Sequence, residues 1–253
     1  MGKLVAVGGG SIGRGGARVE VASISREMIR LTGKKRPRTL FIPTASSDDP
    51  SYVRAFQGHF GKQLGCRVEI LLVHRSRPSA VEIREKIQGA DLIYVGGGNT
   101  LMMMNRWKKL GIDRLLRRAW DWGKVLGGSS AGAICWFSLG NSDSRKYKNP
   151  KAGLIRVAGL GLVDAMVCPH YDVERDRRPE LKRMTRFTPG VAIALDNCAA
   201  LEVTGNRCRV LAAKPSAKGY KVYWSGGKYF EEKLDRSGKW HDLRELLSKG
   251  SLP

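Results

Sequence analysis

Lys124-Val125-Leu126-Gly127-Gly128-Ser129-Ser130-Ala131-Gly132-Ala133 is the stretch on which the reading of this chain turns. A short apolar run passes through small residues into a segment that suits a helix from Ala131 to Phe137. Such a run bounded by glycine reads as a buried strand. Gly128-Ser129-Ser130-Ala131-Gly132 then fits the G-x-S-x-G elbow, whose small flanking residues let a serine sit on a sharp strand-to-helix turn with its hydroxyl exposed. Ser130 has glycine two residues before and two after it, whereas Ser129 is followed at that distance by Ala131. Ser130 is therefore the expected nucleophile. The competing reading is a Gly/Ser-rich turn that serves packing or binds phosphate.

Upstream, Leu4–Val7 runs into Gly8-Gly9-Gly10, Thr39–Ile42 ends at Pro43, and Val68–Val73 forms a third apolar run. Asp91–Val95 leads into Gly96-Gly97-Gly98-Asn99-Thr100. Helical stretches fall between them at about 19–31, 51–64, 80–87 and 100–122, the last broken near Gly111. Strands alternating with helices imply a parallel sheet covered on both faces, with ligands at the carboxyl ends of its strands. Neither glycine run has Walker or full Rossmann spacing. Downstream, Asn141–Ala152 reads as a surface loop, Val163–Val167 and Val191–Leu195 as strands, and Pro179–Phe187 as a very basic helix. After Glu202, the turns at Gly205 and Gly226-Gly227 predict antiparallel additions. The expectation is one α/β domain over 1–253, with 204–253 a β-rich extension of it.

Lys and Arg number 45 against 23 Asp and Glu, a net charge of +22 that favours anionic partners. The cations are spread along the chain in short clusters, with no aromatic-bearing RNA-binding signature and no zinc-finger spacing, so nucleic acid is not an expected partner. No apolar run is long enough to span a membrane. The opening MGKLVAVGGG suits a first strand better than a secretory signal, and a cytoplasmic address is expected. Cys66, Cys135, Cys168, Cys198 and Cys208 lack C-x-x-C spacing and read as small buried hydrophobes. No metal and no cofactor is expected. Short peptides are the expected partners of a monomer or homodimer.

A serine hydroxyl needs a base to take its proton, and histidine is the usual one at neutral pH. His59, His74 and His241 lie in a predicted helix, beside Arg75 and in a late charged segment. His170, in Val167-Cys168-Pro169-His170-Tyr171, leaves a strand end through a proline and is the expected base. The Ala131 N–H at the helix N-terminus, with an amide of Gly97 or Gly98, would form the oxyanion hole.

Taken together, Phe41-Ile42-Pro43-Thr44-Ala45, Gly96-Gly97-Gly98-Asn99-Thr100, Gly128-Ser129-Ser130-Ala131-Gly132-Ala133 and Cys168-Pro169-His170-Tyr171 resemble, in order, the peptidase E family of serine peptidases. That family includes aspartyl dipeptidases and, more distantly, cyanophycinases. The resemblance runs from about Leu4 to Glu202. It implies a three-layer α/β sandwich of the class I glutamine amidotransferase type, with a mostly parallel central sheet, Ser130 and His170 as catalytic residues, and Ala131 with a glycine of the 96–98 run at the oxyanion. An arginine downstream of the histidine grips the substrate aspartate in aspartyl dipeptidases. Here several arginines stand in that region, with Arg175 and Arg178 the candidates beside Asn99. Family members carry an acidic residue between Ser and His, and Asp143, in a turn-forming segment, is the expected orienting carboxylate. Glu202 is the runner-up; Asp172, Glu174 and Asp196 are weighed behind them. The activity implied is that of a serine exopeptidase acting through an acyl-enzyme, with a possible preference for N-terminal Asp. A cyanophycinase-like isopeptidase and a catalytically silent basic binding protein are the alternatives.

Overall fold

Leu4, Val5 and Ala6 are fully buried in β1 (Lys3–Val7), because a strand covered on both faces can be apolar at every position. The computed structural model describes residues 2–250. After β1 come β2 (Arg38–Ile42), β3 (Arg67–Ile70), β4 (Leu92–Val95) and β5 (Val125–Ser129), separated by α1 (Ala22–Leu31), α2 (Pro50–Phe56), α3 (Ala80–Gly89), α4 (Thr100–Leu110) and α5 (Ile112–Asp121). The five strands are parallel in the order β1-β5-β4-β2-β3. The expected break at Gly111 is present: its φ of 68° closes α4 and opens α5, a conformation glycine adopts without a Cβ clash.

Beyond β5 the chain makes one short helix, α6 (Ala131–Ile134), then builds a second sheet. Its first strand, β6 (Phe137–Ser142), corrects the expected helix to Phe137 and the expected loop from Asn141. Trp136 and Phe137 are fully buried just past α6, and a Cβ on Gly140 would stand 2.3 Å from the Ile134 side chain. Strand and helix therefore cross too closely for α6 to extend. Then follow β7 (Ile155–Ala158), β8 (Val163–Cys168), α7 (Arg177–Arg186) and β9 (Ala192–Leu195), with β6, β8 and β9 parallel.

The C-terminal strands are antiparallel, as expected, but they divide between the sheets. β10 (Ala199–Thr204) pairs with β1, β11 (Arg207–Ala212) with β10, and β14 (His241–Asp242) with β11. β12 (Gly219–Ser225) and β13 (Lys228–Lys233) extend the second sheet beside β9, and α8 (Leu243–Leu247) follows β14. Lys221 is fully buried in β12, its Nζ donating to the carbonyls of Glu245 and Gly250, which ties the C-terminal segment down. Among the described residues no helix is long and apolar enough to cross a membrane.

Candidate active site

The elbow has the form its spacing predicts. Ser130 follows β5 with φ 58° and ψ −113°, a strained conformation for a residue bearing a side chain. Both flanking glycines are required by space. A Cβ on Gly128 would lie 2.6 Å from the Val95 carbonyl oxygen, and one on Gly132 only 2.0 Å from it. The end of β4 thus presses on both glycines, leaving Ser130 as the residue that turns out. Ser129 is nine-tenths buried as the last residue of β5. Helix α6 is a single turn, so the expected help from a helix dipole reduces to the Ala131 N–H itself.

Three successive carbonyls at the end of β1 organise the rest. The Val7 oxygen accepts from the Ser130 N–H at 3.1 Å, Gly8 from His170 N–H at 3.1 Å, and Gly9 from Cys198 N–H at 2.9 Å. The Gly8-Gly9-Gly10 run, whose spacing fits no nucleotide motif, therefore pins the elbow, the expected base and the turn after β9 to one another. His170 itself stands at φ 55°, left-handed for a non-glycine residue. Its Nδ1 is 2.7 Å from Oδ1 of Asn197. An amide oxygen only accepts, so Nδ1 carries a proton, and the neutral ring in this tautomer has its lone pair on Nε2. The Asn197 N–H donates in turn to Asp172 at 2.8 Å.

Asn197 thus occupies the place expected for Asp143. Asp143 instead faces the buried guanidinium of Arg177 at 4.0 Å, and Arg177 also bonds Glu174 and Asn141. Glu202, fully buried, accepts from Arg209 at 2.8 Å on the far side of β1 from the elbow strand. Sequence reasoning missed Asn197 because it sought a carboxylate. The available signal was the Asp196-Asn197 turn directly after an apolar strand.

Ser130 and His170 line one cleft of 660 Å³ together with Tyr52, Gly97, Gly98 and Asn99. The Gly97 N–H donates to the Tyr52 hydroxyl at 3.2 Å, and the Gly96 and Asn99 N–H groups to the carbonyls of Ile42 and Ala45. Within the 96–99 run that leaves the Gly98 N–H, and at the elbow the Ala131 N–H, without a partner among the described residues. Gly98 has φ 139°, and a Cβ there would lie 2.2 Å from the Ala45 oxygen. Burial pushes the Tyr52 phenol up, so it stays protonated while it holds Gly97. Asn99 lines the cleft but its Oδ1 caps α4 through the Met102 N–H.

Arg175 and Arg178 are not among the residues lining this cleft. Arg178 donates to Glu231 at 2.7 Å and lies over the Tyr171 ring at 4.5 Å, while Arg175 is exposed. The cations on the cleft wall are Arg14 and Lys148. Arg14 pairs with Asp49 at 2.6 Å, whose carboxyl is held well below its usual range, first by the Ser51 hydroxyl and then by backbone N–H groups. Among the described residues no group of His, Cys, Asp and Glu is placed to hold a metal ion.

Residues 4–211 match the model of Peptidase family S51. The chain belongs to this family. It is 35% identical over 227 residues to the uncharacterized peptidase YgaJ of Bacillus subtilis, covering 88% of this chain and 92% of that protein. Peptidase E of Shewanella denitrificans is 26% identical over 201 residues, 74% of this chain and 80% of the relative. A cyanophycinase of Synechococcus elongatus is 30% identical over 176 residues, 65% of this chain and 53% of the relative. Among solved structures, a peptidase from an acI-B1 Actinobacterium superposes with a TM-score of 0.72 at 21% identity, covering 96% of this chain and 97% of that one. A putative peptidase E from Listeria monocytogenes EGD-e does so with 0.62 at 24% identity, covering 83% and 98%. At these identities the structures speak to the fold, which is that of peptidase E-type proteins. Membership of family S51 makes the chain a serine peptidase at family level.

Proposed function

We propose that this member of family S51 is a serine exopeptidase that hydrolyses short peptides through an acyl-enzyme on Ser130. The observation that carries the reading is the fixing of Ser130, His170 and the Asn197 turn by the successive carbonyls of Val7, Gly8 and Gly9. His170 Nε2 takes the proton of the Ser130 hydroxyl as Oγ attacks the scissile carbonyl. The Ala131 and Gly98 N–H groups receive the oxyanion. The intermediate then collapses, His170 returns the proton to the leaving amine, and water repeats the sequence to free the acid. A cleft of 660 Å³ is of the size that encloses a small ligand, about 300–1,000 Å³, which favours short peptides. A preference for N-terminal Asp would rest on Arg14 and Lys148, the cations on its wall.

A serine-directed fluorophosphonate tests the reading, alongside a dipeptide and tripeptide library. Wild-type protein should be labelled on Ser130, and Ser130→Ala should lose labelling and turnover by roughly 10⁴-fold while keeping its melting temperature. Labelling at another serine, or full turnover in Ser130→Ala, would sink it.

A further inference from the structure

A second cleft, also of 660 Å³, adjoins the catalytic one, and the two share Asn99, Met102 and Lys148. One wall is a face of α4, where Met102, Arg106 and Lys109 fall at i, i+4 and i+7. His74 and Arg145 contribute further basic side chains. Among the described residues no Asp or Glu lines this cleft. Elsewhere many surface cations are paired, as Arg14 with Asp49 or Lys86 with Glu82. Here Lys109, Arg145 and Lys148 have no ion-pair partner among the described residues, and a concave surface lined by one sign of charge concentrates ions of the other.

The walls are also held in place. The Ser144 hydroxyl accepts from the Leu101 N–H at 3.0 Å and the Asn99 amide donates to the Ser144 carbonyl at 3.2 Å, tying the segment that bears Arg145 to the start of α4. Arg106 is anchored through Nε to the Val73 carbonyl at 2.7 Å.

We propose that this second cleft is an extended subsite, which holds carboxylates of a peptide substrate at residues beyond those flanking the scissile bond. The proposal rests on the reading of Ser130 as a peptidase nucleophile, since the shared wall makes one continuous path from reacting bond to basic cleft. Selectivity then operates at a distance, on peptides long enough to fill both clefts. Among the described residues no Phe, Tyr or Trp lines the cleft, so it offers no platform for base stacking, and a peptide fits it better than a nucleic acid.

The test compares kcat/KM for matched pentapeptides that are neutral, that carry Asp at positions remote from the scissile bond, or that are amidated at the C-terminus. Remote carboxylates should raise kcat/KM by about fivefold to twentyfold for two exposed ion pairs, and the gain should shrink with salt. Lys109→Ala with Arg145→Ala should abolish the gain and leave dipeptide hydrolysis unchanged, and Lys109→Arg with Arg145→Lys should keep it. Loss of the gain on amidation assigns the C-terminal carboxylate; loss on Asp→Asn assigns the side chains; either supports the subsite. Equal rates for the neutral, acidic and C-terminally amidated pentapeptides overturn it. Calorimetry of Ser130→Ala with the same peptides reads the cleft without chemistry. Preferential binding there with no hydrolysis by wild type would fail the peptidase reading alone, and hydrolysis without preference would fail the subsite alone. A single-stranded oligonucleotide that binds through Lys109 and Arg145 more tightly than the acidic peptide also overturns it, in favour of nucleic acid.

Discussion

His170 donates from Nδ1 to the amide oxygen of Asn197 at 2.7 Å, so a neutral side chain sets the tautomer of the expected base. An orienting carboxylate does two things: it fixes the ring and stabilises the imidazolium that forms. Asn197 does the first. The Asn197 N–H in turn donates to the Asp172 carboxylate at 2.8 Å, which holds the turn that carries it.

Asn197→Ala should lower kcat by roughly 10²–10³, less than the loss of a triad carboxylate, with KM little changed because nothing that binds substrate is removed. Asn197→Asp keeps an acceptor oxygen for the Nδ1 proton, so it should retain activity where Asn197→Ala does not. Unchanged kcat in Asn197→Ala would remove Asn197 from the site.

The elbow could be read from five residues because its constraints are local: Gly128 and Gly132 both answer to the Val95 carbonyl, and β4 is itself an apolar run ending in glycine. His170 could be found because a proline-marked strand end is a local signal too. The third group could not. Asn197 reaches the ring through the arrangement of β1 against β9 and β10, a relation between strands far apart in the chain, and residue type argued for Asp143. The arginines after His170 failed for a similar reason. A basic stretch does not say which way each side chain faces, and Arg178 faces Tyr171, Tyr220 and Glu231. The second sheet was hidden because β6, Phe-Ser-Leu-Gly-Asn-Ser, is short and mixed, and becomes a strand through its pairing with β8.

Gly9 gives a test of the β1 terminus that substitutes none of the proposed catalytic residues. Its backbone is not left-handed, so its requirement is space alone: a Cβ would stand 1.9 Å from Asn197 Oδ1 and 2.5 Å from His170 Nδ1. Both obstructing groups are side-chain atoms that can move. Gly9→Ala should therefore fold, separate the His170–Asn197 pair and lower kcat by roughly 10²–10³, as Asn197→Ala does. Gly58→Ala, where a Cβ meets nothing within 4 Å, serves as the control. Equal kcat in the two glycine variants would refute the crowding argument.

Asp196 supplies a pH dependence of stability. It is 4% exposed; Oδ2 accepts from the Lys218 N–H at 3.0 Å, while Oδ1 has no partner among the described residues. Burial first, and then the charge of Asp172, push its carboxyl up to about 6 from an ordinary value of 3.8. The folded chain therefore holds this proton more tightly than the unfolded chain does. Stability from this group is fully present below about pH 4, is lost as pH rises from there to about 6, and stays lost above. The full loss is of the order of 3 kcal/mol, since each pH unit of displacement corresponds to about 1.4 kcal/mol. Asp196→Asn removes the ionisation but buries an amide N–H without a partner, which offsets part of the gain. Denaturant unfolding at pH 4.5 and pH 7.5 should show the variant gaining on wild type by about 1–3 kcal/mol between the two pH values. A stability difference that is the same at both would mean that Asp196 is ionised throughout, and that the unpaired Oδ1 is solvated.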